Sequence, residues 1–162
     1  MQDSFTRGAS GNSNHGTSDF LRVKEAGEKV ALIGFDATLL GGSTVTSALL
    51  NLFVEEVLDP GMVQVHVLQA PWSEQTVTHN TRPPFGAPVV SQAIAAAQQG
   101  TTIQVDITAI VQAWAASPGT AYGIALTAVD ASLHSTFGSL DGGNPATIDV
   151  TLAGSGNTAP PV

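Results

Sequence analysis

The sequence predicts an all-β fold, a two-sheet antiparallel β-sandwich that is jelly-roll-like, with one short helix near residues 108–116. In most segments that are rich in apolar residues, apolar and polar residues alternate, and turn signals separate these segments at regular intervals. Charged residues make up 11% of the 162 residues, so neutral polar side chains must cover much of the surface. Many short strands joined by such turns are typical of a sandwich.

Six segments are predicted strands. Residues 30–36 and 45–54 are strongly apolar and are expected to be central. Four others alternate between apolar and polar residues and are expected to have one wet face, which would place His66 in solvent. These four are residues 63–68, 103–107, 122–126 and 147–152. The predicted turns are Gly41-Gly42, Asp59-Pro60-Gly61, Pro83-Pro84, Pro118-Gly119 and Gly142-Gly143-Asn144-Pro145.

One segment has helical spacing. Residues 108–117 (TAIVQAWAAS) place Ile110 and Trp114 on one face, so Trp114 is expected in the core. Thr108 is the predicted cap, and the Pro118-Gly119 turn is expected to end the helix. Residues 92–99 (QAIAAAQQ) have good helix propensity but are short, so a helix and an extended stretch both remain open.

Charge and composition exclude several classes of function. The net charge of −8 repels phosphate backbones, so no nucleic-acid partner is expected. No apolar run approaches the length that spans a membrane, and no membrane insertion or signal peptide is predicted. The absence of cysteine removes disulfides and thiolate chemistry.

No catalytic constellation is visible in the sequence. The chain contains neither a Gly-x-Ser-x-Gly nor a His-Glu-x-x-His motif. Its adjacent acids, Glu55 and Glu56, lie at a strand end, where neighbours point to opposite faces. We therefore expect a protein that is not an enzyme.

The segment from Ala70 to Pro84 (APWSEQTVTHNTRPP) allows two interpretations. Trp72 can stack on a sugar ring while Glu74 and Arg82 bind its hydroxyls, with the nearby Phe85 as a spare ring, as Phe20 is elsewhere. Alternatively, Trp72 fills the core at a sheet corner, and Glu74 caps the amides of residues 76–78. The candidate ligand-binding residues are thus Trp72, Glu74, Arg82 and Phe85.

A calcium site near the N-terminus is a further candidate. Residues 11–19 are rich in the hard oxygen donors that calcium prefers. A structural calcium would be held by Asp3, Asn12, Asn14 and Asp19. The competing explanation is that Asn and Asp stabilise turns by bonding their own backbone. Apart from this calcium, no cofactor is expected.

Several motifs occur in the order found in one known family. They include Leu32-Ile33-Gly34-Phe35-Asp36, Ser47-Ala48-Leu49-Leu50-Asn51-Leu52, Trp72-Ser73-Glu74-Gln75-Thr76-Val77-Thr78, Val105-Asp106-Ile107-Thr108 followed by Trp114, and Phe137-Gly138-Ser139-Leu140-Asp141. Together they resemble DNRLRE-type domains, which are similar to carbohydrate-binding module family 96 and the disaggregatase-related repeat. His15 and His79 replace aromatic residues of that pattern, and Asp141 replaces a glutamate.

The resemblance implies a DNRLRE-like β-sandwich domain over residues 1–153 and a Gly/Pro-rich linker or tail over 154–162. It implies a non-catalytic module that holds polysaccharide at the surface of a bacterial or archaeal cell, or outside it, as an appendage of a larger exported protein. The alternative is a structural spacer or assembly subunit of a surface fibre or virion, with self-association through the C-terminal tail.

The charge distribution predicts the kind of glycan. Alginate-binding relatives are expected to offer basic groups, yet the five basic residues of this chain are scattered along the sequence. Arg22 and Lys24 are the two expected to share a strand face. A neutral polysaccharide is therefore the expected partner.

Overall fold

A computed structural model of the chain describes residues 1–129 and 132–154, which contain ten strands and two α-helices. The strands are β1 (Gln2–Arg7), β2 (Phe20–Lys24), β3 (Lys29–Gly34), β4 (Val45–Asp59), β5 (Gly61–Leu68), β6 (Phe85–Ile94), β7 (Thr102–Asp106), β8 (Ile124–Ala128), β9 (His134–Gly138) and β10 (Thr147–Leu152). The helices are α1 (Glu25–Glu28) and α2 (Thr108–Ala116). Single 3-10 turns occupy Gly8–Ser10, Thr38–Leu40, Ala96–Gln98 and Pro118–Thr120.

The strands form a nearly closed antiparallel sheet, in agreement with the predicted all-β, sandwich-like class. Its order is β10-β4-β9-β2-β3-β8-β5-β6, with β1 also paired to β3 and β7 to β4. The long strand β4 joins the two halves of the sandwich. Its first part pairs with β10 and β7, and its second part pairs with β9 through two register shifts. Such irregularities bend a strand and let one sheet fold over its own core.

The main core lies between the two halves of this sheet. It collects the inward residues of β2, β3, β4, β5, β7 and β8, among them Leu21, Ile33, Leu50 and Leu126, none of which is exposed. Alternate positions on each of these strands face this core, as the period-two pattern predicted.

The predicted helix is confirmed as α2, with Trp114 2% exposed against the main core. Its start differs from the expectation, because Thr108 is the first helical residue and the N-cap position belongs to Ile107, which makes no side-chain capping bond. The Asp106 Oδ1 accepts hydrogen bonds from the Thr108 amide at 2.9 Å and the Thr108 hydroxyl at 2.6 Å. The helix ends at Ala116, before the 3-10 turn at Pro118.

Residues 92–99 adopt neither of the two predicted conformations along their whole length. Residues 92–94 end β6, and Ala96–Gln98 form a single 3-10 turn. The side chain of Gln98 accepts a hydrogen bond from the Ala95 amide at 2.7 Å. This local bond fixes the change of direction between β6 and β7. The predicted tail from residue 155 onward lies outside the described residues.

Candidate functional site

Residues 69–84, the strap, cover the outer face of the sheet. Between the strap and the sheet lies a second apolar cluster, to which the strap contributes Val77 and the strands contribute Val30, Leu32, Leu68 and Ala125. Trp72, Phe85 and Tyr122 pack against this cluster and remain partly exposed. The strap therefore turns a face that would otherwise be wet into a small secondary core.

His66, on the outer face of β5, is buried in the structure. It is 6% exposed, which corrects the prediction that it faces solvent. One ring nitrogen lies 2.9 Å from the Gly86 carbonyl oxygen, the other lies 2.8 Å from the Thr127 hydroxyl, and the ring packs beside Phe85. The bulges where β6 crosses β5 at this point bring these groups over the histidine.

Trp72 is tied to the fold through its indole nitrogen. Nε1 donates a hydrogen bond to the Tyr122 carbonyl at 2.9 Å, and the Trp72 carbonyl accepts one from the Gln2 side chain at 3.0 Å. The ring packs on the secondary core and also lines a surface groove. The structure thus gives Trp72 a structural position and leaves part of its ring for a ligand.

Glu74 does not cap the amides that follow it in the sequence, as the structural interpretation expected. Its Oε2 accepts a hydrogen bond from the Asp3 amide at 3.0 Å, which ties the strap to β1. The amides of Thr76 and Val77 instead donate to the Ser73 carbonyl. A backbone turn satisfies these amides, so the carboxylate is free to reach a strand that is distant in the sequence.

Arg82 and Phe85 lie together at the end of the strap. The Arg82 guanidinium lies 5.3 Å from the Phe85 ring centroid, and its Nη1 donates to the Thr6 hydroxyl at 3.4 Å. Burial lowers the pKa of Arg82 from its usual value. Three of the four candidate ligand residues therefore belong to the strap and Phe85 begins β6, but Glu74 and Arg82 make their contacts within the protein.

The predicted calcium ligands make protein contacts of their own. The Asp3 Oδ2 accepts a bond from the Leu140 amide at 2.8 Å, and the Asn12 Oδ1 accepts one from Asn80 at 2.9 Å. The Asn14 Oδ1 accepts a bond from the Gly16 amide at 3.1 Å, and Asp19 is exposed. Within residues 1–129 and 132–154, no three His, Cys, Asp or Glu side chains form a potential metal cluster. Two of the four predicted calcium ligands are asparagines, a residue type outside that group, so the calcium site stays a prediction.

A groove of about 340 Å³ runs beside the strap, at one end of the sheet. Three aromatic residues, Phe35, Trp72 and Tyr122, share its lining with Asp36 and Gln2. Asp36 is exposed, and its Oδ1 accepts bonds from the Thr38 amide at 2.9 Å and the Thr38 hydroxyl at 2.6 Å. These two bonds lower the pKa of Asp36 below its usual value, so the carboxylate is ionised at neutral pH.

Sequence reasoning named Trp72 as a ligand candidate but missed the other groove residues. A usable signal was present, because Phe35-Asp36 follows the apolar segment that became β3 and Tyr122 is the single tyrosine of the chain. Their meeting with Trp72 depends on the strap, which has no periodic pattern.

A family model for carbohydrate-binding module family 96 matches residues 1–151. The chain belongs to this family. No curated protein matches the chain. The described residues contain no helix that is long and apolar enough to cross a membrane.

The basic residues of this family 96 module are not scattered, which corrects the sequence interpretation. Arg22 and Lys24 share the outer face of β2 as predicted, and β3 brings Lys29 opposite both Lys24 and Arg7. Burial lowers the pKa of Lys29, and the charges of Arg22, Arg7 and Lys24 lower it further. Four of the five basic residues thus lie together, although Lys29 itself is buried, and this cluster is here called the basic surface.

The basic surface is largely occupied by contacts within the protein. Arg7 lies 3.6 Å from Glu28, and Lys24 lies 3.9 Å from Glu25. The Arg22 guanidinium lies over the rings of Phe5 and Phe20, at 5.6 and 5.1 Å from their centroids. These partners reduce the positive charge available to an anionic ligand.

Proposed function

We propose that this chain is a non-catalytic module that holds a neutral polysaccharide in the groove beside the strap. Membership of family 96 supports the binding of carbohydrate. The observation that carries the assignment to this groove is its lining, in which Phe35, Trp72 and Tyr122 surround one recess. Aromatic rings match the apolar faces of sugar rings, and a few polar groups fix the hydroxyls.

Hydrogen bonds hold the residues on the sugar-facing side of the groove in place. Gln2 lines it and bonds the strap twice, donating to the Trp72 carbonyl at 3.0 Å and accepting from the Glu74 amide at 3.2 Å. The indole bond to the Tyr122 carbonyl holds the Trp72 ring in place. Little side-chain entropy is therefore lost when a sugar binds, which favours affinity.

The charge of the groove favours neutral over acidic sugars. Asp36 is the charged side chain among the described residues that line it, and its carboxylate repels a uronate. An ionised carboxylate also accepts hydrogen bonds from sugar hydroxyls.

A position outside the cell or on its surface follows from this proposal. Polysaccharides of cell walls and matrices lie there, so the module is proposed to be an appendage of a larger exported protein from a bacterium or archaeon. Its part would be to hold that protein on the polysaccharide.

The test removes one groove ring and keeps the backbone carbonyl that bonds the Trp72 indole. Tyr122→Ala should weaken binding to neutral oligosaccharides by about tenfold in calorimetry, because the variant loses one stacking surface. Phe20→Ala is the matched control, since Phe20 is also half-buried and lies outside this groove. Equal binding by both variants, with their folding verified, would refute the assignment to the groove.

The alternative function, a spacer or assembly subunit, is favoured by one feature. Strand β6 forms an end of the sheet and pairs with β5 alone. Residues 83–105 carry no charge, and Val89 on this edge is 46% exposed. Uncharged edges can pair with another strand. Light scattering would show self-association that a Val89→Lys substitution abolishes.

A further inference from the structure

The groove combines two features that attract positive charge. The Asp36 carboxylate and the rings of Phe35, Trp72 and Tyr122 line the same recess. Ring faces attract cations through their quadrupole, and a carboxylate attracts them directly. A neutral sugar uses the apolar area of the rings but leaves this electrostatic attraction unused.

Asp36 has an oxygen available for a ligand. Both Thr38 bonds go to Oδ1, and Oδ2 accepts no hydrogen bond from the residues that the structure describes. Neither ion pair found among those residues includes Asp36. The Met1 ammonium also lines the groove, but it contributes least to the lowering of the pKa of Asp36. The carboxylate is therefore charged and exposed, and the described lysines and arginines do not neutralise it.

We propose that this groove, which binds neutral sugars if the function proposed above holds, binds amino sugars of the same linkage with free ammonium groups more tightly. The ammonium would approach Asp36 Oδ2 while the sugar ring stacks on the aromatic lining. The net charge of −8 adds a long-range attraction for a polysaccharide that carries many ammonium groups.

Three hexasaccharides test the contribution of the ammonium group. β-1,4-linked oligomers of glucosamine, N-acetylglucosamine and glucose share one backbone and differ at carbon 2, which carries an ammonium, an acetamide or a hydroxyl. At low salt and slightly acid pH, calorimetry should give about threefold to tenfold tighter binding of the glucosamine oligomer than of the glucose oligomer. Raising the salt concentration should reduce this preference and leave the binding of the glucose oligomer unchanged.

Asp36→Asn should abolish the preference, so that the variant binds the glucosamine and glucose oligomers with equal affinity. Asp106→Asn is a closely matched control, because Asp106 accepts the same pair of bonds from Thr108 at the same distances and lies outside this groove. The control variant should keep the preference of the parent protein. This comparison separates the loss of a groove charge from the loss of a turn-stabilising carboxylate.

The outcomes separate the two proposals. Equal affinity for the glucosamine and glucose oligomers would overturn the ammonium preference and leave the glycan-binding function intact. A preference that survives Asp36→Asn would also overturn it. Failure of the parent protein to bind any of the three oligomers, or any other glycan on an array, would remove the proposed function and the preference together.

Discussion

At the scale of single residues, Trp72 has two roles that the sequence presented as alternatives. Its ring packs on the secondary core and its Nε1 bonds the Tyr122 carbonyl, yet it remains partly exposed in the groove. Because Trp72 both stabilises the fold and lines the groove, a single truncation cannot separate its two roles.

Two substitutions of Trp72 separate these roles. Trp72→Ala should lower the free energy of unfolding by about 2–4 kcal/mol, less than for a fully buried tryptophan. Trp72→Phe keeps an aromatic ring and should cost about 1 kcal/mol for the lost hydrogen bond. Urea unfolding measures both values. Unchanged stability of Trp72→Ala together with lost glycan binding would show that the structural role is absent.

Asp3 is a buried carboxyl whose charge opposes folding. Its pKa is raised chiefly by burial and further by the charges of Glu74 and Asp141, although the Leu140 amide bond acts against this. A raised folded-state pKa means that the folded protein binds the proton more tightly than the unfolded chain. The stability contributed by the protonated group is complete below the unfolded pKa and is lost as the pH rises through the folded pKa.

Asp3→Asn should therefore stabilise the protein at neutral pH relative to the parent. An asparagine oxygen can still accept the Leu140 amide, while the cost of burying a charge disappears. The advantage should shrink as the pH falls below the folded pKa of Asp3. Urea unfolding of both proteins between pH 3 and pH 7 measures it. An advantage that is largest in acid would show that the assigned direction of the pKa shift is wrong.

At the scale of elements, Asn14 joins the strap to the N-terminal loop. Its side-chain amide donates to the Glu74 carbonyl at 2.6 Å and to the Val77 carbonyl at 2.7 Å, and its Oδ1 orders the Gly16 amide. The Asn80 amide donates to the Gly11 carbonyl farther along the same contact. The strap is thus attached along its length to the segment before β2.

Asn14→Ala should loosen the strap and cost about 1–3 kcal/mol, because two strap carbonyls lose their donor. Hydrogen exchange should accelerate in residues 69–84 while α2 stays protected. Asn144→Ala is the control, since Asn144 is exposed and its side chain bonds Glu55 at 2.9 Å, away from the strap. Uniform acceleration over the whole chain would contradict a local role for Asn14.

The elements that the sequence predicted well are those with an internal period. The segments that became β5, β7, β8, β10 and α2 alternate or repeat within a few residues, and the structure confirms them. The continuous apolar segments that became β3 and β4 are confirmed as well. Strand β6 was not predicted, because Gly86 and Pro88 interrupt its pattern and a bulge accommodates them. The burial of His66 depends on its contacts with β6 and β8, and the meeting of Trp72 with Phe35 depends on the strap. Both follow from long-range contacts.

At the scale of the whole molecule, charge is unevenly divided. Four of the five basic residues lie on the basic surface, while the groove carries Asp36. The net charge of −8 therefore belongs mainly to the rest of the molecule. The two surfaces are expected to differ in the ligands they repel.

At this scale we predict weak or no binding to alginate or pectate. A polyuronate carries one negative charge per sugar, so Asp36 opposes it in the groove, and Glu25 and Glu28 already pair with Lys24 and Arg7 on the basic surface. Repulsion by the net charge should also slow encounter, more so at low salt. An affinity gel run at low and high salt measures both effects. Tight polyuronate binding that weakens as salt rises would contradict the prediction. Loss of that binding in Arg22→Ala, but not in Asp36→Asn, would place the acidic glycan on the basic surface.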